Sequence, residues 1–501
     1  MSIQGFSGRL TLPSYTAPAA RHTRVLAKTS ARRWIFAALA LASVALLYLT
    51  NLTSMGMYST DEPRYADIGR AMARTGDWIT PRLWGQPWFE KPPLLYWMTA
   101  TGFRLGLGPD LAPRLPMALL SVAFLAFFWW RLRALWNGRV AACATAILAT
   151  TGGWLGYSHV AVTDLPVAVF FTTAVLLALA REGREPDRIA AAAALGLAVL
   201  AKSVPPLVLF TPVLFFDRRN WKRWFASWPI AAFAAVALPW HIIATMRNGW
   251  NLPYVLFIEQ QVGRFLNNSR QHGQRWWFYL PVFCGLLFPW FALLPLAFRR
   301  LSADRRLRTL AAILILGLIF FSASINKLPG YVLPLAPVTC VLMGAGLAAS
   351  PRPDRWLIVP VILLGALPFA AAIVPQAAAD GLSAASLDWR LAFSGLAVAA
   401  AVAGVLVFGF RSLALPAAFL LAAGGLFWLE ARVFPQLDRA ATARPLWLEK
   451  HPTCAPVPGR TVSYGLYYYS ERKLLPCAIV DKNVSPAGGP VSQPQRVQNT
   501  R

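Results

Sequence analysis

The chain has 501 residues, 57% of them hydrophobic and only 14% charged, whereas a soluble enzyme of this length carries roughly a quarter charged residues. That excludes an ordinary soluble domain. Nor is the formal net charge of +27 read first as nucleic-acid binding, because membrane proteins gather Lys and Arg in their cytoplasmic loops.

The opening "MSIQGFSGRLTLPSYTAPAARHTRVLAKTSARRW" has no short apolar core followed by a cleavage site, so 1–33 reads as a basic cytoplasmic tail and not a signal peptide. Apolar runs then recur, and membrane spans are expected at 34–50, 115–130, 140–157, 165–180, 189–202, 204–216, 226–245, 277–298, 309–323, 331–349, 356–374, 391–410 and 413–430. With the tail inside, the inside loops become "RLRALWNGR", "REGREPDR", "DRRNWKRW", "FRRLSADRRLR", "PRPDR" and the turn at Arg411. Each is short and basic, as the positive-inside rule asks. The expected fold class is therefore an all-α polytopic membrane protein of about thirteen helices, 34–430, with its C-terminus outside.

Two segments strain this threading. "KPPLLYWMTATGFRLGL" (91–107) is apolar enough to span, but counting it would invert every later loop; it reads as a helix at the outer interface. "LGLAVLAKSVPPLVLFTPVLFF" reads as two short spans meeting at Pro205–Pro206, which keeps "DRRNWKRW" inside. Beyond 430, "RTVSYGLYYYS" and "KLLPCAIV" read as β-strands of a small external α/β domain, 431–501, in which a Cys454–Cys477 disulfide is permitted. The last residues are Pro/Gly/Gln-rich and read as disordered. Cys143, Cys284 and Cys340 lie in apolar runs as small core residues.

The outer loops run against the charge rule. Loop 51–114 holds Arg64, Arg70, Arg74, Arg82, Lys91, Arg104 and Arg114; 246–276 adds Arg247, Arg264, Arg270 and Arg275, and 324–330 adds Lys327. Two readings stand: an anionic ligand matched by Arg and Lys, or outer-leaflet headgroups. In "TDEPRYADIGRAMARTG", Thr60 or Asp61 can cap a helix whose first turn holds Glu62 and Pro63, and Gly76 can end it. Tyr65, Ile68 and Met72 share an apolar stripe opposite Arg64, Asp67, Arg70 and Arg74, which describes an interfacial helix. Arg70 and Arg74 read as headgroup contacts.

The stretch "TDEPRYADIGRAMARTGDWITPRLWGQPWFEKPPLLYW" closely resembles the first external loop of bacterial lipid-carrier-dependent glycosyltransferases, the group containing the lipid A aminoarabinose transferase and, more distantly, the protein O-mannosyltransferases. "SHVAVTDLP", "LAKSVPPL", "LPWHIIA", "EQQVGRFLNNSRQHGQRWWFYLPV", "LFPWFALLP" and "SINKLPGYVLPL" follow in the same order, over roughly 34–350. The resemblance implies the GT-C membrane fold with external juxtamembrane helices and a periplasmic C-terminal domain. It also implies an inner-membrane enzyme that moves a sugar from a polyprenyl-phosphate donor, usually undecaprenyl phosphate, to a lipid or glycan acceptor such as lipid A.

By that match Asp61 and Asp164 are the catalytic carboxylates, which activate or orient an acceptor hydroxyl and support inversion. A phosphate acceptor is already nucleophilic, and the two would then position substrate. Arg64, Lys91, Arg264 and Tyr331 match positions that meet the donor phosphate, where negative charge develops. Glu62, Tyr65, Glu90, Lys202 and Lys327 match substrate-binding positions. Asp61 and Asp164 also have a bland reading as helix caps, and Lys202 as a snorkelling side chain. His272 matches a position for a divalent metal, although no cofactor is demanded, because Arg and Lys can neutralise a phosphate; the other histidines lack a ligand set. The partners expected are the lipid-linked donor, the acceptor and membrane lipids, and no nucleic acid. Rival readings are a protein or glycan transferase of the O-mannosyltransferase type and, from another class, a lipid-linked sugar flippase. A transporter would place its polar groups at the midplane and along a through-path, whereas these gather at one rim.

Overall fold

The structure is a computed structural model that describes residues 35–180, 184–266, 273–302, 304–381, 385–455 and 460–477. Every expected span coincides with a helix or a bent pair of helices. Among the described residues, five helices are long and apolar enough to cross a membrane: Leu111–Leu135, Ser227–Asn248, Arg305–Ala323, Trp389–Gly409 and Ala414–Ala441. Three bent pairs raise the number to eight: Gly138–Ala149 with Gly152–Ser158, Trp276–Leu286 with Trp290–Ala297, and Pro353–Leu364 with Leu367–Ala379. The middle pair turns by 103°, too sharply for one straight crossing. The remaining apolar helices are shorter, as in Asp164–Ala178, whose 15 residues reach only about 22 Å at ~1.5 Å per residue.

Local sequence sets the breaks. Asn137 accepts hydrogen bonds from the backbone N–H of Arg139 and Val140, and Asp304 caps the next basic turn through the N–H of Arg306. Helix Glu185–Lys202 stops at Ser203, whose φ is +67°, and the next helix starts at Pro205, so the two-helix reading of this stretch holds. Tryptophan and tyrosine tie the bundle: Trp154 Nε1 donates to Ser121 and Tyr48 Oη to the carbonyl of Ala149. Outer faces stay apolar, with Met246, Trp228 and Phe393 all exposed. Lipid is the solvent that such faces require.

The segment 51–110 is built as helix Asp61–Thr75, a small antiparallel hairpin pairing Arg82–Leu83 with Gln86–Pro87, and helix Leu94–Arg104. The helix at 91–107 is thus real and is not one of the apolar spans. Trp84 and Gly85 both take positive φ, as a two-residue hairpin turn requires. Strain at Trp84 is offset by its ring packing on Tyr464 and Tyr467.

Two expectations fail here. "RTVSYGLYYYS" is a helix, Arg460–Ser470, not a strand; of the described residues of "KLLPCAIV", 473–477, Pro476 alone makes a bridge, with Ala455, and 478–480 lie outside the described residues. The tyrosines favour strand intrinsically, but tertiary docking wins. Tyr468 Oη donates to the Pro109 carbonyl at 2.6 Å and Tyr469 Oη to Asp110 at 2.7 Å. The Cys454–Cys477 disulfide is formed and closes the loop that carries this helix.

Arg70 is the second correction. It is buried, donates to the Tyr468 carbonyl at 2.7 Å and to Asp67 at 2.5 Å, and lies 4.4 Å from the Tyr468 ring centroid. Arg74 donates to Glu471 at 2.6 Å. Both tie the C-terminal helix to the first-loop helix, and the burial of Arg70 removes it from headgroup contact.

Candidate active site

Two acid–base clusters each contribute one lysine to a common cavity. The first grows from the start of helix Asp61–Thr75, whose N-cap position is Thr60 without a side-chain cap bond. Arg64, one turn in, pairs with Asp61, donates from Nη1 to Glu90 at 2.8 Å and from Nε to the Thr60 carbonyl at 2.9 Å. Rings of Tyr65, Trp88 and Tyr464 surround it at 5.6 to 5.8 Å. Burial works against charge on Arg64, but Glu90, Tyr65 and Asp61 outweigh it, and its pKa is raised. Glu90 is itself buried and lies 3.6 Å from the ammonium of Lys91. The order is thus Asp61, Arg64, Glu90, Lys91.

The second cluster sits where helix Glu185–Lys202 ends and helix Asp164–Ala178 begins. Lys202 pairs with Asp164 and rests 4.5 Å from the Tyr331 ring centroid. Its break-point location explains its depth: the helix ends at Lys202, so the ammonium meets the first residue of a neighbouring helix. Gly330 lies against the same carboxylate. A Cβ there would fall 2.6 Å from Asp164 Oδ1 and 2.8 Å from Tyr157 Oη, so only glycine lets the "KLPGY" loop close on Asp164. Tyr157 is within electrostatic reach of both Asp164 and Asp61.

Lys91 and Lys202 meet in a cavity of about 320 Å³ whose wall also includes Tyr331, Gln260, Gln261 and Ser324. Most of the remaining wall is apolar, including Val167, Phe171, Leu209, Phe320 and Phe321. Two ammonium groups in an apolar slot suit a ligand with an anionic head and a hydrocarbon tail.

The expected residues separate accordingly. Lys91, Lys202 and Tyr331 line this cavity, Glu90 and Asp164 are paired to its two lysines, and Asp61 is connected to it only through Arg64 and Glu90. Arg64 does not line it; its donors hold Asp61 and Glu90. Glu62 is no substrate ligand. It is fully buried, with Oε1 and Oε2 both 2.7 Å from Arg114, while the N–H groups of Ala161 and Tyr58 donate to the same carboxylate. No acceptor capacity remains for a sugar. Tyr65 is likewise core, packed on Tyr96 at 5.8 Å. Lys327 is buried, donates to the carbonyls of Gln274 and Ser324, and pins its own loop; burial lowers its pKa. Arg264 opens a short helical turn, Arg264–Leu266, and its side chain lies outside the described part. His272 also lies outside the described residues. Sequence reasoning missed Gln260, Tyr157 and Tyr464. Only Gln260 left a signal, as part of the polar triplet Glu259–Gln261 interrupting the apolar run "YVLFIEQQV".

The model of the dolichyl-phosphate-mannose-protein mannosyltransferase family matches residues 34–267. An undecaprenyl phosphate-α-4-amino-4-deoxy-L-arabinose arabinosyl transferase of Pseudomonas aeruginosa is 32% identical over 334 residues, covering 63% of this chain and 60% of that protein. Its counterpart in Pectobacterium carotovorum is also 32% identical over 334 residues, with 62% and 59% covered. The crystal structure of ArnT from Cupriavidus metallidurans bound to undecaprenyl phosphate superposes with a TM-score of 0.70 at 23% identity, covering 89% of this chain and 86% of that one. This chain shares the fold of that transferase. The expected helical membrane architecture is thereby supported over most of its length, and the relatives similar in sequence are of the kind that the first-loop motif resembles. The chain spans about 60% of the length of the curated relatives it matches.

Proposed function

We propose that this protein is an inner-membrane glycosyltransferase that takes a sugar from an undecaprenyl-phosphate donor and passes it to an acceptor at the periplasmic face, lipid A or another envelope lipid or glycan. The observation that carries the reading is the apolar cavity holding Lys91 and Lys202, with Glu90 and Asp164 paired to them. In this reading the ammonium groups meet the donor phosphate and the apolar wall takes the first part of the polyprenyl chain. Lysine has three donors, so Lys202 can keep Asp164 while it binds a phosphate oxygen.

The step is a displacement at the anomeric carbon with inversion. An acceptor oxygen bonds to that carbon as the bond to the phosphate oxygen breaks, and the polyprenyl phosphate leaves with the electron pair. Negative charge grows on the phosphate, where Lys91, Lys202 and the Tyr331 hydroxyl stabilise it. Asp164 and Asp61 orient the acceptor and take its proton when it is a hydroxyl; a phosphate acceptor needs orientation only. Lysine can neutralise the phosphate in this reading, and a divalent metal remains possible at His272, which lies outside the described residues. A helix threading of about thirteen crossings, a tail at 1–33 and an outer C-terminal segment from 431 accompany this proposal.

Mass spectrometry of envelope lipids and glycans from cells with and without the gene tests it. A lipid A species heavier by one sugar, absent with Asp164→Asn, is expected. An envelope identical in both cells would contradict the proposal. Altered glycans or glycoproteins with unchanged lipid A would move the acceptor to the O-mannosyltransferase type.

A further inference from the structure

A second cavity, of about 400 Å³, lies at the far ends of two helices that begin beside the first. Helices Asp164–Ala178 and Pro205–Phe216 start at the Lys202 cluster, and Ala178 and Phe216, at their other ends, line the second cavity. The first turn of helix Arg305–Ala323 completes its wall. Inside, the carboxylates are already used. Asp217 accepts from Trp224 Nε1 at 3.0 Å, from Asn220 at 3.1 Å and from Arg305 at 3.4 Å. Asp304 accepts from the N–H of Arg306 at 2.9 Å and from Trp136 Nε1 at 2.7 Å.

The rim carries an excess of positive charge. Arg218 and Arg219 lie between the wall residues Asp217 and Asn220, Lys222 and Arg223 follow in the next turn, and Arg308 stands one turn along from Arg305. All of these rim cations are exposed, and among the described residues none is paired with a carboxylate. The Arg305–Asp217 contact brings the two basic segments together. Interleaved with the cations, Phe215, Trp221, Phe225 and Trp228 are each more than half exposed. A small soluble anion would meet the charges and leave the rings in water; a purely apolar partner would cover the rings and strand the charges. Only an amphiphile with an anionic head answers both, and basic pockets between membrane helices are where phosphate headgroups bind. We propose that this cavity and its rim hold an anionic phospholipid, its phosphate among Arg218, Arg219, Lys222 and Arg308 and its acyl chains along Phe215 and Trp228. The site is separate from the cavity of Lys91 and Lys202 and does not depend on the donor reading.

The test measures lipid retention by the purified full chain with native mass spectrometry, comparing phosphatidylglycerol with phosphatidylethanolamine of the same acyl chains. The ratio of the two affinities in one sample is independent of the folded fraction. The parent should prefer phosphatidylglycerol, and Arg219→Gln with Lys222→Gln should lower that preference about tenfold or more while leaving phosphatidylethanolamine unchanged. Arg352→Gln with Arg355→Gln removes the same charge from another exposed basic loop and should leave the preference intact, as should Lys91→Ala. A parent without preference, or an equal loss from the Arg352 and Arg355 pair, would reduce the effect to diffuse charge and overturn the site. Loss with Lys91→Ala alone would put the lipid in the other cavity and overturn it too. Full displacement of phosphatidylglycerol by inorganic phosphate would make this an ion site and also contradict the proposal.

Discussion

Single residues decide how the carboxylates are held. Gly330 gives the sharpest case: alanine there would put a methyl carbon 2.6 Å from the Asp164 carboxylate, well inside contact distance. Gly330→Ala is expected to push Asp164 off Lys202 and lower transfer by at least tenfold while the protein still inserts and folds, measured as turnover of purified protein at matched amount. Activity equal to the parent would show that the Asp164 position is not critical. Arg114 and Glu62 make the opposite case, a buried pair with no part in chemistry. Removing one member leaves a charge stranded in the core, which costs about 3–5 kcal/mol. Arg114→Ala should therefore show a large loss of thermal stability in detergent, and Glu62→Gln a smaller one because the amide still accepts from Arg114. The sequence could not separate these roles. Glu62 and Asp61 are neighbours in "TDEPRY", and only the helix direction sends one carboxylate into the core and leaves the other 34% exposed.

Among the elements, helices were legible wherever hydropathy and breakers agreed. The Pro205 break and the helix expected at 91–107 both followed from local chemistry. The C-terminal helix did not, because its conformation depends on partners about 400 residues away: Arg70, Arg74 and Asp110. Its tyrosines carry a pH signature. Burial chiefly, and then Asp110, raises the Tyr469 phenol above its usual value, and burial raises that of Tyr468. A folded-state pKa above the unfolded one, about 10, means that the docking is fully stable below pH ~10 and is lost as pH rises through the folded value. The difference in tyrosinate absorbance between the parent and Tyr469→Phe should thus appear only well above the ordinary tyrosine range. Titration at the ordinary value would mean that the phenol is solvated and the helix undocked.

Across the molecule, apolar patterning was enough to expect the helices, and the motif order was enough to point to the fold that the structure shares. They could not show that Lys91, from the first outer loop, and Lys202, from a helix break more than 100 residues on, share a cavity; that juxtaposition exists only in three dimensions. It also carries the proposed chemistry, so the most direct test is a reconstituted reaction. Purified protein in liposomes containing lipid A would be given undecaprenyl phosphate bearing 4-amino-4-deoxy-L-arabinose, and free undecaprenyl phosphate and modified lipid A followed by mass spectrometry. The expected result is equal release of both products by the parent, loss of both with Asp164→Asn and with Lys91→Ala, and unimpaired membrane insertion of each variant. No transfer by the parent with any lipid-linked sugar, or undiminished transfer by both variants, would contradict the assignment of this cavity as the catalytic centre.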